Sequence, residues 1–360
     1  MTRNGLLVLV FGIGCGTLPS PEPGLVLAAP PSGQLIFTSD RAGLMAVFAV
    51  DVAGGKPTQL TPIDGAHWFS GPVSPAGDRM AWLRSQDGPG DAHMEQLVVV
   101  GTDGMPRYGP SARAVRSPSW SPDGRAILVE SSADGFRDVV RWDGLMGPHR
   151  RLTEVEAGCF EPQFTADGLR IVMVCSGDDL DLRIVPSDRA TPHPDPPRLL
   201  ERKGEDIRPS PHPSLPVMAF AAGLDGQLGV WTANLDGSGA GPAWVPEHGV
   251  ALLPDQGLAW SADGGQLAVV VRSDGGRPAV RLLSWGPSAP QGPATVASLP
   301  GPIVNFGQES PSWMPDGTLL LTVDQGGNAD LWRIEPTTGA HESWADGIGT
   351  DWLPRWWPAQ

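Results

Sequence analysis

Lysine is almost missing from this 360-residue chain, which carries it only at Lys56 and Lys203, and tyrosine occurs once. Basic charge is therefore nearly all arginine, and it is outnumbered: 25 Lys and Arg face 40 Asp and Glu, a formal net charge of −15. Such a surface lacks the cationic groups that displace counterions from phosphate backbones, which excludes nucleic acid as a partner. Helical periodicity over ten or more residues is also lacking beyond the N-terminal leader, which excludes helical bundles and alternating α/β folds. No G-x-S-x-G elbow occurs. The seven histidines, His67, His93, His149, His193, His212, His248 and His341, are scattered without H-E-x-x-H or short zinc spacing. No cofactor is implied.

What the chain does have is 47 Gly, 39 Pro and 14 Trp. The Gly and Pro sit between short apolar runs, as turn residues rather than low-complexity tracts. The stretch SPSWSPDGRAILVESS, Ser117 to Ser132, shows the grammar. Pro122 presets one corner, Asp123 can bond its own backbone, Gly124 accepts positive φ, and the residues that follow alternate as in a strand. Related stretches begin at Val73, Trp120, Phe164, Pro211, Trp260 and Trp313, with a seventh anchor at Trp356, and the steps between them are 43 to 53 residues. That period, with only short strands between anchors, is the spacing of a four-stranded propeller blade.

The ends of the chain argue that the ring is closed. Gly33 to Thr61 supplies three strands with no inner strand before them, while Asp351 to Trp357 is an inner strand with nothing after it. Each completes the other. The expected fold is all-β, a β-propeller of seven four-stranded blades in which the C-terminal strand completes the N-terminal blade, spanning residues 33–360 as one domain. Anchor tryptophans are expected to wedge between neighbouring blades.

The N-terminus carries a different signal. MTRNGLLVLVFGIGC has Arg3, an apolar run from Leu6 to Ile13, and then Cys15. The run is too short to span a membrane and suits a signal-peptide core. It resembles a bacterial lipoprotein signal, which makes residues 1–14 a signal peptide, Cys15 the lipidated residue and residues 15–32 a Pro-rich tether. Cleavage near Ala28 or Ala29, or an uncleaved anchor, are the other readings, and all three export the protein. In an oxidising compartment Cys159 and Cys175, equally far from the turn at Asp167, would lie opposite each other on adjacent strands. They read as a disulfide or as two buried thiols.

Units of the form WSPDG, as at Trp120 to Gly124, combine here with TSDRAG (Thr38 to Gly43), TQLT (Thr58 to Thr61) and RRLT (Arg150 to Thr153). In these, the chain from Gly33 to Trp357 resembles the WD-repeat-like propeller modules of the TolB family. That family's propeller is six-bladed, follows a separate α/β domain and binds a peptidoglycan-associated lipoprotein in the periplasm. The resemblance implies an exported, periplasmic or outer-surface scaffold with a protein or peptide partner in the cell envelope. The alternative, from another class, is a channel-centred hydrolase or lyase, metal-assisted or not. No catalytic residue can be named from the sequence.

Residues leading into each inner strand should surround one mouth of the channel. They are His67, Arg116, Glu161, Asp206, Arg208, Asp255, Glu309 and Asp351, five of them acidic. They read as a ring attractive to a cationic or amide-rich ligand, or as ordinary solvated loop charges. The run DDLD offers Asp178, Asp179 and Asp181 as a weak calcium candidate, without the Gly and distal Glu of an EF-hand loop. A solvated acidic turn is the plainer reading.

Overall fold

A computed structural model of the chain describes residues 32–359 apart from 88–92, 134, 145–146, 225–226, 254–255, 273–277, 287–289, 299–310, 325–326 and 345–347. Among these residues there is no helix, and the strands form seven antiparallel sheets set as blades in a ring. Blade 1 runs outward from Asp351–Pro358 through Gly33–Ser39 and Ala46–Asp51 to the two residues Thr58–Gln59. The C-terminal strand pairs with the first strand from Ser39 opposite Asp351 to Gly33 opposite Pro358. The ring is therefore closed by strand exchange between the two ends of the chain.

Blades 2, 3, 5 and 7 begin with His67–Val73, Val115–Trp120, Asp206–Pro211 and Ser312–Trp313, and each has four strands in chain order. Blade 4 starts at Cys159–Phe164 and has three full strands. Its fourth position is taken by an irregular segment that bridges Arg198 to Arg183 and donates Leu199 N to Leu182 O. In blade 6 the inner position is split between Ala251–Leu252 and Ala259–Trp260, both paired with Gln266–Arg272.

Burial explains the composition of these strands. In blade 3 all six residues of the second strand, Ala126–Ser131, are buried. A strand with a blade packed on each side has no solvent face, so alternation gives way to a continuous apolar run. The core is correspondingly divided among blade interfaces; one cluster joins Ala81, Leu97 and Val99 of blade 2 to Val115, Trp120, Ile127 and Trp142 of blade 3.

The turn chemistry is as local as the sequence implies. Ser121 Oγ donates to Asp123 Oδ1 and receives Ala126 N, Gly124 N reaches Ser121 O at 2.8 Å, and Gly124 has φ of 67°. The anchor tryptophans add a second function. Trp120 Nε1 donates to Pro72 O, Trp260 Nε1 to Ser210 O and Trp313 Nε1 to Ala259 O, each at 2.9 Å. Each acceptor lies just before the anchor of the preceding blade, so the indoles lock neighbouring blades in register.

The inner strands share a distortion. Five of them shift register, between Arg116 and Ser119, Phe160 and Gln163, Ile207 and Ser210, Ser70 and Val73, and opposite Ile36 and Thr38. In four of these, non-glycine residues three positions before the anchor take positive φ: Ser117, Glu161, Arg208 and Leu353. Such bulges re-aim backbone and side chains near barrel and channel rims.

Candidate functional site

The bulges build a polar network between neighbouring blades. Glu161 N donates to Glu130 Oε1 at 3.0 Å, and Arg208 N donates to Glu161 Oε2 at 2.8 Å. Arg208 Nη1 also binds Glu161 Oε1 at 2.9 Å, while Ser117 Oγ and Arg137 donate to Glu130. The chain of contacts thus links blades 3, 4 and 5. Burial pushes the Glu161 carboxyl up, against the pull of Arg208.

Of the other residues expected at the mouth, Asp351 is buried and receives two bonds from Arg41 Nη2 at 2.8 and 2.9 Å. Asp206 is buried against Arg202. Burial, with Asp181 and Asp179 nearby, pushes it up to about 6 although Arg202 opposes the rise. His67 and Arg116 are exposed; the His67 ring accepts from Met45 N at 3.4 Å and Arg116 pairs with Glu95 at 3.5 Å. Asp255, Glu309 and Cys15 lie outside the described residues. The structure therefore brings Glu161 and Arg208 into contact and gives the other two described acids arginine partners of their own. Sequence reasoning missed Glu130, a carboxylate inside an apolar strand, and the partner arginines Arg41, Arg137 and Arg202.

In the DDLD turn, Asp178 and Asp179 are exposed, but Asp181 is buried and paired with Arg198 at 3.1 Å and Arg183 at 3.7 Å. Among the described residues no group of three or more His, Cys, Asp or Glu is placed to hold a metal ion. Cys159 and Cys175 form a disulfide directly across the first two strands of blade 4, with Cα atoms 4.1 Å apart.

One arrangement resembles a nucleophile, base and orienting acid. Ser85 Oγ lies 3.4 Å from His93 Nε2, and His93 Nδ1 lies 3.2 Å from Asp87 Oδ1. Glu95 Oε1 competes for Nε2 at 3.3 Å, and hydrogen bonds to Asp87 and Glu95 raise the imidazole above its ordinary value. With Nε2 shared between Ser85 and Glu95, the ring is held by two carboxylates and is not given to the serine alone, which is poor geometry for a general base.

A large concavity lies between blades 1 and 2. It is about 980 Å³ and is lined by Trp68, Trp82, Tyr108, Trp357, Pro106 and Pro358 among others. Its walls come from the two neighbouring blades: Gly33, Asp51, Leu60 and Trp357 from blade 1, and Trp82, Val100 and Tyr108 from blade 2. Gly33 is required at its edge, because a Cβ there would meet Trp357 O at 2.5 Å. Leu60 and Tyr108 line it while 40% and 55% exposed, and Ile63 and Met105, beside lining residues, are 90% and 63% exposed. Trp68 Nε1 donates to Asp64 at 3.1 Å, but the buried Trp82 Nε1 has no partner.

No family model matches the chain, and no curated protein matches its sequence. Solved structures do match. TolB from Acinetobacter baumannii is 17% identical with a TM-score of 0.57, the match covering 91% of this chain and 67% of that one. An oligogalacturonate lyase in complex with manganese is 16% identical with a TM-score of 0.60, covering 88% and 85%. A prolyl endopeptidase is 13% identical with a TM-score of 0.60, covering 89% of this chain and 49% of that one, so this chain spans about half its length. The class is thereby fixed as a seven-bladed β-propeller with a TolB-like fold. A fold held in common by TolB, a lyase and a peptidase leaves the activity to be argued from the site.

Proposed function

We propose that the chain is an exported propeller, held at a bacterial membrane by lipid on Cys15, that binds a protein partner of the cell envelope without chemistry. The observation that carries this reading is the cleft between blades 1 and 2. An aromatic-lined concavity with exposed apolar side chains on its rim is what a partner must cover, since apolar area gains roughly 25 cal/mol per Å² when removed from water. The inner-strand acids, by contrast, are occupied by arginines: Arg208 on Glu161 between blades 4 and 5, Arg41 on Asp351 within blade 1, and Arg202 on Asp206. The TolB likeness supports an envelope setting.

The test is photo-crosslinking in the native envelope from a probe residue at Tyr108, with one at the exposed Leu169 of blade 4 as control. Adducts should form at Tyr108 and not at Leu169, and Cys15→Ser should remove them from the membrane fraction. No adduct at Tyr108, together with turnover of an ester or glycan by the purified chain, would sink the binding role. That second reading, a hydrolase, is favoured by the Ser85, His93 and Asp87 arrangement. It predicts that Ser85→Ala abolishes such turnover.

A further inference from the structure

The inner turn of blade 5 departs from the repeat. In blades 3, 4 and 6 a hydroxyl, on Ser121, Thr165 or Ser261, donates to the Asp two residues on and receives the backbone N–H five residues on. Blade 5 has His212 at that position, in the stretch PHPSLP, with no Asp or Gly behind it. The backbone still closes the turn, His212 N reaching Val217 O at 2.9 Å as Ser121 N reaches Ala126 O. We propose that His212 is an acid-operated latch: as a neutral imidazole it ties blade 5 to blade 6, and on taking a second proton it releases the turn-side rim of the seam between them.

The ring spans both blades. Its Nδ1 receives Ser214 N at 3.2 Å and Leu215 N at 3.1 Å within blade 5, and its Nε2 lies 3.1 Å from Gly264 O on the blade 6 turn. A carbonyl only accepts, so Nε2 carries the hydrogen; backbone N–H groups only donate, so Nδ1 carries none. The partners thus dictate one neutral tautomer. The buried ring packs 4.8 Å from Trp260 and 6.1 Å from Trp285, and a Cβ at Gly264, where φ is 73°, would run into it.

A second proton has to sit on Nδ1, facing two N–H donors in a site closed to water. Both bonds to the blade 5 turn are then lost, and a ring that leaves takes the Gly264 bond with it. Burial holds His212 below its ordinary 6.5, against the pull of Gly264 O and of Asp263, the charged group that faces the ring from blade 6. The latch therefore contributes fully above pH 6.5, and its contribution is lost as pH falls through the lowered folded value. Around it the rim is lightly held: blade 6 presents the two-residue strand Ala259–Trp260, tied to blade 5 by Trp260 Nε1 on Ser210 O at 2.9 Å and Ser210 Oγ on Leu258 O at 3.0 Å. Deeper in, the apolar cluster containing Phe220, Leu267 and Val269 keeps the blades joined, so release is confined to the rim.

The experiment is hydrogen exchange combined with histidine-ring NMR on the full chain, from about pH 7.5 to about pH 5. Just below about pH 6.5, where an ordinary histidine charges, the His212 ring should stay neutral with its proton on Nε2. At lower pH the Ser214 and Leu215 amides and the Trp260 indole should lose about tenfold in protection, after the intrinsic pH dependence of exchange is divided out. In His212→Asn, whose amide oxygen can still accept from the turn but does not titrate, the same protection should not change with pH. Asp206, at the other end of the same inner strand, moves global stability in the opposite direction on acidification, which is why local exchange is read. A ring that charges at the ordinary value with those amides still protected would overturn the latch. Loss at Ser214 and Leu215 with the Trp260 indole still protected would reduce it to a fraying turn and overturn the seam. Equal pH dependence in wild type and His212→Asn would overturn the assignment to His212.

Discussion

At the residue scale, Asp206 shows a buried carboxyl that is paired and still holds its proton tightly. Burial outweighs Arg202, and the group titrates at about 6 instead of its usual 3.8. The sign of its contribution follows. Above pH 6 both folded and unfolded chains carry the charge, and the fold bears the full cost of burying it. As pH falls from about 6 toward 3.8 the folded chain binds the proton first, so this group adds stability on acidification. Urea midpoints across that window should rise in the wild type relative to Asp206→Asn; parallel curves would refute the assignment. Glu161, Asp206, Arg208 and Asp351 were legible as inner-strand residues because the repeat places those strands. Their pairing was not. Arg41 lies 310 residues from Asp351, and no local pattern connects them before the ends of the chain meet.

At the scale of strands, turns carry the most readable information. The TADG turn sets the register of its two strands, and that register puts Cys159 opposite Cys175. The two are 16 residues apart in the chain, and a loop of about 15 residues loses roughly 3 kcal/mol of unfolded-state entropy when cross-linked. Replacing both with serine should lower the unfolding free energy by about that amount, measured by urea titration under oxidising conditions. An unchanged midpoint would show that blade 4 holds its inner strands together without the bond. The bulges could not be read in advance. Positive φ at Ser117, Glu161, Arg208 and Leu353 has no glycine to announce it. The cleft was equally silent, since its lining joins residues from Ser32 to Ala359 that come together only once blades 1 and 2 are packed.

At the scale of the whole molecule, blade count and closure were legible because seven spaced anchors and two incomplete ends admit one ring. Deleting Asp351 to Gln360 removes the inner strand of blade 1 and exposes Leu35, Ile36 and Phe37, which are now fully buried or nearly so. The truncated chain should lose cooperative unfolding by calorimetry; a transition of unchanged midpoint and enthalpy would refute closure. The same closing strand has a bearing on biogenesis. Blade 1 is complete only when Asp351–Pro358 pairs with Gly33–Ser39, so during synthesis the first strand is made early and keeps an unpaired edge until the last one arrives. A chain cut short keeps that edge open to proteases and to other strands, whereas a chain that reaches Pro358 hides it. Ring closure thereby separates finished molecules from unfinished ones by which edges they expose.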